Sequence, residues 1–193
     1  LDDVLEIRET ANFDIKDIDY DIRIVDSPTE VRDLIIETNR AHNHSRILAG
    51  YCWEWIKSGK NDSSVHDIKI DDFEMRWNLG NTTTFAIDED SVNEVGCIHT
   101  SQGLEFDYAG VIIGDDMRFE NGHIVTDFTK RAKTDQSLKG IKKLYKENPQ
   151  YALKEADEII KNTYRTLMTR GMKGCYVYCT DSNLAHYLRE RLE

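Results

Sequence analysis

The sequence predicts an α/β domain with a central, mainly parallel sheet of about five strands. Two apolar runs, residues 109–113 and 175–178, are nearly continuous, which is typical of strands covered on both faces. Capped helical patterns alternate with such short β-rich runs along the chain. With 193 residues, of which 39% are hydrophobic, the chain can bury one substantial core.

Five β-rich runs and three helices are predicted in chain order. The first helix covers about residues 28–40, because Ser27 can cap it, Pro28 fits its first position and Glu30 can complete a capping box. The predicted strands are residues 20–25, 46–51, 95–100, 109–113 and 175–179.

The longest helix is predicted to begin at Asn148-Pro149 and to end at Arg170-Gly171, where Gly171 can supply a left-handed cap. A last helix begins at Asp181-Ser182 and runs to Leu192. The apolar residues that recur at helical spacing in the longest helix are Leu153, Ala156, Ile160, Tyr164 and Leu167.

Two polar stretches, residues 57–94 and 114–148, fit the sheet poorly. We interpret both as excursions from a single domain that covers residues 1–193, with one weak helix at about residues 137–147. Long connections of this kind are often functional.

Composition excludes several classes of protein. The net charge of −11 argues against a domain whose main affinity comes from neutralising many phosphates. No apolar run is long enough to cross a bilayer and the start does not resemble a secretory signal, so we expect a cytoplasmic protein without a membrane partner. Because the chain does not begin with Met, we expect it to be a segment of a longer protein.

Two basic stretches stand out against this acidic background. They cover residues 130–133 and 139–146. Each is either a local strip for a polyanion or simply the solvated face of a helix.

The densest polar motif covers residues 98–107, between two predicted strands. It contains Gly103, which would let a phosphate approach the backbone, and neutral hydrogen-bonding side chains at Thr100, Ser101 and Gln102. Ligands of open parallel sheets bind at the carboxyl ends of the strands, so we expect the motif there. An ordinary polar turn is the alternative.

A second motif, residues 164–174, leads from the longest helix into the last strand and contains Thr169 and Arg170. Arg170 has two interpretations. It is either a cation favoured by a helix C-terminus or the planar, permanently charged group that phosphoryl transfer requires near a γ-phosphate.

Together, these two segments resemble motifs V and VI of superfamily 1 helicases. The surrounding residues 45–55, 77–78, 94–99 and 169–174 are similar to a bacterial family of schlafen group 3-type DNA/RNA helicase domains, and the resemblance extends from about residue 20 to residue 192. It implies a three-layer P-loop NTPase (RecA-like) fold with helices on both faces of the sheet. The chain would be the C-terminal one of two RecA-like lobes that hold ATP between them.

The resemblance also implies roles for single residues. Arg170 would be catalytic and reach the γ-phosphate, Gly103 would lie against the triphosphate, and Glu105 would contact the ribose or the motif VI network. The residues implied to face nucleic acid, or to couple it to ATP, are His99, Thr100, Gln102 and Thr169.

The chain departs from the helicase pattern in what it lacks. It contains no Gly-x-x-x-x-Gly-Lys-Ser/Thr loop and no Walker B Asp-Glu pair. We therefore expect an upstream lobe to supply both, with ATP and Mg²⁺ as cofactors of the full-length protein and none bound to this segment, which would be inactive alone. The expected partners are that upstream lobe and a single-stranded nucleic acid.

Two other functions remain open at this point. Asp115 and Asp116 end a predicted strand and, with Glu105, would form a Mg²⁺-dependent nuclease site, although such residues also cap ordinary turns. A noncatalytic interaction module that keeps the helicase shape is the second alternative. Structural zinc is not expected, because the cysteines form no Cys-x-x-Cys pair.

Two tryptophans are candidates for base stacking. Trp53 and Trp55 would lie on one face if the strand before them continued past Tyr51. Core packing is the alternative explanation for both.

Overall fold

The computed structural model of the chain describes residues 1–9, 19–56, 64–78 and 84–192. Within them, seven strands form one sheet in the order β1-β9-β6-β2-β5-β4-β3. Every neighbouring pair is parallel except β3 and β4. The strands are β1 (Asp21–Ile24), β2 (Ser45–Ala49), β3 (Ile68–Ile70), β4 (Phe73–Trp77), β5 (Glu94–Gly96), β6 (Phe106–Ile113) and β9 (Gly171–Cys179).

All five predicted strands are present, although the one predicted at residues 95–100 ends at Gly96 and a turn follows it, and the mainly parallel α/β architecture is confirmed. The two additional strands of the sheet, β3 and β4, lie in the first excursion, of which residues 57–63 and 79–83 fall outside the described residues. The second excursion contains a separate hairpin of β7 (Met117–Glu120) and β8 (His123–Thr126). Its turn is Asn121-Gly122, with positive φ at both residues.

Four α-helices accompany the strands within the described ranges, and short 3-10 turns connect some of the elements. They are α1 (Pro28–His42), α2 (Ile141–Glu147), α3 (Pro149–Met168) and α4 (Ser182–Leu192). The predicted caps are present, since the Ser27 hydroxyl accepts a hydrogen bond from the Glu30 amide and the Asn148 side chain accepts one from the Tyr151 amide. Asn148 also ends α2, so one residue joins the two helices.

Two details of the α3 prediction are wrong. Leu153 is 47% exposed, and Ala152 takes the inward position beside it. Gly171 is the first residue of β9 and supplies no left-handed cap, because α3 ends at Met168 and its C-cap is Thr169, two residues before Gly171.

The helices cover both faces of the sheet. Val31 and Ile35 of α1 pack on one face with Ile47 and Ile112. Helices α3 and α4 pack on the other face, where the core includes Val111, Val177 and residues of β8. In the described part of the chain, no helix combines the length and the apolar character needed to span a membrane.

The parallel strands give the sheet two chemically different edges. We call the edge where β2, β6 and β9 begin the amino edge, and the edge where they end the carboxyl edge. Because β6 has eight residues, the two edges lie about 26 Å apart. The candidate functional residues divide between these edges.

Candidate functional site

The structure brings the two sequence motifs together at the amino edge. Arg170 precedes β9, and its carbonyl oxygen accepts a hydrogen bond of 2.8 Å from the amide of Phe106, the first residue of β6. Its guanidinium Nη1 donates to the carbonyl oxygen of Leu104 at 3.1 Å. Two segments separated by about 65 residues in sequence are therefore held against each other.

The turn from α3 into β9 fixes where Arg170 lies. The Thr169 hydroxyl donates to the Arg165 carbonyl oxygen at 3.0 Å and so satisfies one of the free carbonyl groups at the helix end. The Tyr20 hydroxyl donates to the carbonyl oxygen of Gly171 at 3.1 Å. Both contacts hold the backbone on either side of Arg170, which positions its side chain at the sheet edge.

A cavity of about 540 Å³ opens beside Arg170. Among the described residues that line it, Asp2 is the only carboxylate, and it forms ion pairs with Arg8 and, at 3.1 Å, with Arg165. The Arg165 and Arg8 contacts hold the pKa of Asp2 below its ordinary value, against a partial desolvation. The described residues that line the cavity are Leu1, Asp2, Arg8, Arg165, Thr166, Thr169 and Arg170, so three arginines outnumber one aspartate.

Arg170 differs from the other arginines with buried guanidinium groups. Arg46 donates to five oxygens of β2 and its surroundings, and Arg131 is paired with two aspartates. Arg170 and Arg76 each have a buried Nε with no hydrogen-bond partner, but Arg76 forms an ion pair with Glu94 at 3.3 Å, whereas no described carboxylate lies within ion-pair distance of Arg170. A buried donor without a partner costs about 1–3 kcal/mol, so this arginine is incompletely satisfied.

The first motif crosses one face of the sheet. Its chain leaves β5 at the carboxyl edge and enters β6 at the amino edge, with Ile98 and Leu104 packed against the core on the α3 side. His99 and Gln102 are exposed, whereas Thr100 is buried and its hydroxyl lies 3.6 Å from the Cys97 sulfur. Burial makes Thr100 a structural part of the turn and leaves His99 and Gln102 accessible.

Gly103 and Glu105 are both exposed near the amino edge. Gly103 adopts φ +74°, a conformation that L side chains rarely take, and open space surrounds it. The prediction that this motif lies at the carboxyl ends of the strands is therefore wrong for Gly103 and Glu105. The connection runs back over the sheet before it enters β6. The rule that ligands bind where parallel strands end does not predict such a return.

The three carboxylates of the nuclease alternative are not brought together. Glu105 precedes β6, whereas Asp115 and Asp116 follow it, so the length of the strand separates them by about 26 Å. Within the described ranges, no three His, Cys, Asp or Glu residues are grouped as a metal ion would require. The predicted single site of Glu105, Asp115 and Asp116 is wrong.

Asp116 instead belongs to a buried network at the carboxyl edge. It pairs with Arg131 at 3.0 Å, and Arg131 pairs with Asp135 at 2.7 Å. The Tyr164 hydroxyl donates to Asp116 and accepts a 3.1 Å hydrogen bond from the Gly114 amide. Burial raises the pKa of the Asp116 carboxyl, while the Arg131 charge and the Tyr164 hydrogen bond oppose that shift.

Sequence reasoning missed this network, although one local signal existed. Residue 50 lies directly beneath the Tyr164 hydroxyl, and a Cβ atom there would overlap it, so Gly50 is required by the close approach. Asp135 also follows Arg131 at a spacing of four residues. The remaining partners come from distant parts of the chain, and no spacing rule joins them.

The stacking candidates lie at the carboxyl edge. Strand β2 ends at Ala49, so the continued strand that would place Trp53 and Trp55 on one face is absent. Both tryptophans are partly buried against the core, and the Trp53 carbonyl oxygen accepts a hydrogen bond from the Trp77 indole. Trp53 also lines a second cavity, of about 340 Å³, with Tyr178 and Lys130.

The fold and this site define an α/β domain in which two polar segments, distant in sequence, meet at one edge of a mainly parallel sheet. The sequence model of the family described as schlafen group 3, DNA/RNA helicase domain, matches residues 1–181. The chain therefore belongs to the schlafen group 3 DNA/RNA helicase domain family, and this membership indicates a helicase-related role.

A curated relative supports the same extent of similarity. An uncharacterized protein of Saccharomyces cerevisiae is 30% identical over 177 residues, which cover 90% of this chain and 36% of that protein. The chain thus spans about a third of the relative's length. This relative is a yeast protein, whereas the sequence resemblance pointed to a bacterial family. No solved structure matches the chain significantly.

Proposed function

We propose that this chain is the C-terminal, RecA-like lobe of an ATP-dependent DNA/RNA helicase or nucleic-acid translocase. In this proposal the P-loop, the Walker B carboxylates and the Mg²⁺ site belong to an upstream lobe, and ATP lies between the two lobes. The observation that carries the proposal is the incompletely satisfied guanidinium of Arg170 beside a cavity rich in arginine.

The residues present at the amino edge fit a nucleoside triphosphate. Arg170 keeps a buried donor without a partner, which an additional oxygen acceptor would satisfy. The cavity beside it carries three arginines, and their planar groups suit phosphate oxygens. Gly103 presents accessible backbone without a side chain on the same edge.

Each of these groups has a defined task in the proposal. Arg170 places a permanent charge near the γ-phosphate, where charge develops during phosphoryl transfer. The Leu104 carbonyl holds that guanidinium in position. Gly103 lies against the triphosphate, Glu105 contacts the ribose or the motif VI segment, and Thr169 fixes the helix end that presents Arg170.

The segment from His99 to Glu105 is proposed to couple nucleic acid to ATP. It extends from the carboxyl edge to the amino edge, so its exposed His99 and Gln102 side chains lie along the path between the two. Thr100 contributes through the buried turn. A displacement of this segment would be transmitted directly to Leu104, which holds Arg170.

The decisive experiment substitutes Arg170 by Ala in the full-length protein and measures ATP turnover. Because arginines of this kind contribute about 10³–10⁵ in rate, we expect turnover to fall by about that factor while the protein stays folded. Arg40→Ala is the matched control, since Arg40 is an exposed cation in the last turn of α1 and should leave turnover unchanged.

Other outcomes would select a different function. If Arg170→Ala stayed within about tenfold of the parent, a change of about 1.4 kcal/mol, Arg170 would be an ordinary helix-terminal cation. An inactive full-length parent that still bound a protein tightly would favour the interaction module. The isolated 193-residue chain should bind nucleotide weakly and hydrolyse none, because it carries no phosphate-binding loop.

A further inference from the structure

A dense group of lysines lies in the second excursion, on an otherwise acidic chain. Residues 130–146 contain seven Lys and Arg and a single Asp, whereas the whole chain carries a net charge of −11. Arg131 is buried, but the six lysines are exposed. We call this group the lysine strip; it consists of Lys130, Lys133, Lys139, Lys142, Lys143 and Lys146.

Few charges of the lysine strip are neutralised by neighbouring carboxylates. Lys143 forms a long ion pair of 3.9 Å with Glu147, and no described carboxylate lies within ion-pair distance of the other five lysines. By contrast, both lysines of the neighbouring helix α3 are paired, Lys154 with Glu158 at 3.9 Å and Lys161 with Asp157 at 3.0 Å. A merely solvated helix face would be expected to intersperse opposite charges, which this strip does not do.

An ordered scaffold presents these lysines. The Ala132 amide donates to the Tyr51 carbonyl oxygen at 2.8 Å, which attaches the strip to the carboxyl edge. The Lys133 amide donates to the Glu54 carboxylate, and Arg131 is anchored in the buried network with Asp116. The strip is therefore positioned by buried contacts, and its lysine side chains are left free for a ligand.

Two cavities run along the strip. One, of about 350 Å³, is lined by Lys133, Lys139 and Lys142. The other is the 340 Å³ cavity at the carboxyl edge, which is lined by Lys130, by Lys69, by Asp71 and Asp115, and by the rings of Trp53 and Tyr178. The unpaired ammonium groups of the strip suit phosphates, and the aromatic walls suit nucleobases.

We propose that the lysine strip binds the sugar-phosphate backbone of a single-stranded nucleic acid along the carboxyl edge, with a base entering the cavity between Trp53 and Tyr178. This inference rests on the proposed nucleic-acid partner and assigns that partner a surface. The aromatic cavity, which Lys130 of the strip also lines, favours nucleic acid over an anionic lipid surface or an acidic protein. The acidic remainder of the chain repels a polyanion and confines it to the strip.

The test measures binding of fluorescein-labelled 20-nucleotide oligodeoxythymidylate and oligouridylate by anisotropy, without nucleotide, at several salt concentrations. The purified full-length protein is compared with the variant Lys133→Gln, Lys139→Gln, Lys142→Gln. Its matched control, Arg32→Gln, Arg40→Gln, Lys154→Gln, removes the same charge elsewhere on the surface. We expect the strip variant to bind at least about tenfold more weakly and its slope of log K against log salt to shrink by about 2, since each lost phosphate contact to a single strand removes about 0.7.

A second variant keeps the test valid if neutralisation disturbs folding. Arginine at the same three positions retains the charge and should retain both the affinity and the salt slope. Equal losses in the strip and control variants would overturn the assignment, because only net charge would then matter. So would binding to vesicles containing phosphatidylserine with no binding to either oligonucleotide, or competition by polyglutamate alone. Since no nucleotide is present, these results are independent of whether Arg170 serves ATP.

Discussion

The two edges of the sheet handle their buried charges differently. At the carboxyl edge, Asp116, Arg131 and Asp135 are all buried and all paired. At the amino edge, Arg170 keeps a buried donor without a partner beside an open cavity. A network in which every buried charge is paired stabilises the fold, whereas a buried donor without a partner is available to a ligand. Substitutions in the Asp116 network should therefore cost stability, and substitution of Arg170 should cost activity.

The largest effect on stability is expected from Asp116→Ala. Removing one partner of a buried ion pair leaves Arg131 with less compensation, which typically costs about 3–5 kcal/mol. Urea unfolding followed by circular dichroism measures this loss. Asp115→Ala is the control, because that neighbouring residue is exposed and should change the free energy of unfolding by less than about 0.5 kcal/mol. Equal costs for both residues would contradict the assignment of the network.

A smaller loss is expected from Tyr164→Phe. The substitution keeps the ring and removes the hydroxyl that serves both Asp116 and the Gly114 amide. Leaving buried groups without their partner should lower the free energy of unfolding by about 1–3 kcal/mol. Tyr151→Phe, at a half-exposed position on the same helix, should change it hardly at all under the same urea titration. An unchanged free energy of unfolding for Tyr164→Phe would contradict this prediction, because the network would then not depend on the hydroxyl.

The smallest effect is expected at the amino edge, for Asp107→Asn. The hydrogen bond from Lys173 at 2.7 Å, with a further contribution from His44, holds the pKa of Asp107 below its ordinary value. A depressed pKa stabilises the fold at neutral pH, and that contribution is lost as the pH falls through the folded-state pKa. Because Lys173 is half exposed, we expect a difference of about 0.5 kcal/mol at pH 7.

The measurement for Asp107 is urea unfolding of the parent and the variant between pH 7 and pH 3. The two stability curves should converge toward the acid end, where the aspartate becomes protonated. A difference that stayed constant with pH would show that packing, and not charge, accounts for the effect. A difference as large as that of Asp116→Ala would remove the distinction between the two edges.

Sequence patterns predicted those elements of the fold that local chemistry specifies. Continuous apolar runs gave β6 and β9, and the caps Ser27 and Asn148 gave the starts of α1 and α3. The β7–β8 hairpin escaped the prediction, although Asn121-Gly122 between alternating residues is a strong hairpin signal. Composition had marked the whole stretch as a polar excursion, and this hid the alternation within it.

The candidate site was predictable in its residues and unpredictable in its placement. The motifs around Gly103 and Arg170 are local in sequence, so they could be recognised without the fold. The sheet edge at which these motifs lie could not be predicted, because it depends on how the chain after β5 crosses the sheet. The partners of Asp116 come from residues 131 and 164, and only the folded chain brings these together.

Helix α3 also joins the two regions as one rigid element. Its 20 residues span about 30 Å, from Pro149 beside the lysine-bearing helix α2 to the end that leads to Arg170. Residues along this whole length are buried in the core, among them Ala152, Ile160 and Leu167. A displacement beside α2 would therefore reach Arg170 as a movement of the whole helix, which the hydrogen bond from Tyr164 to Asp116 opposes.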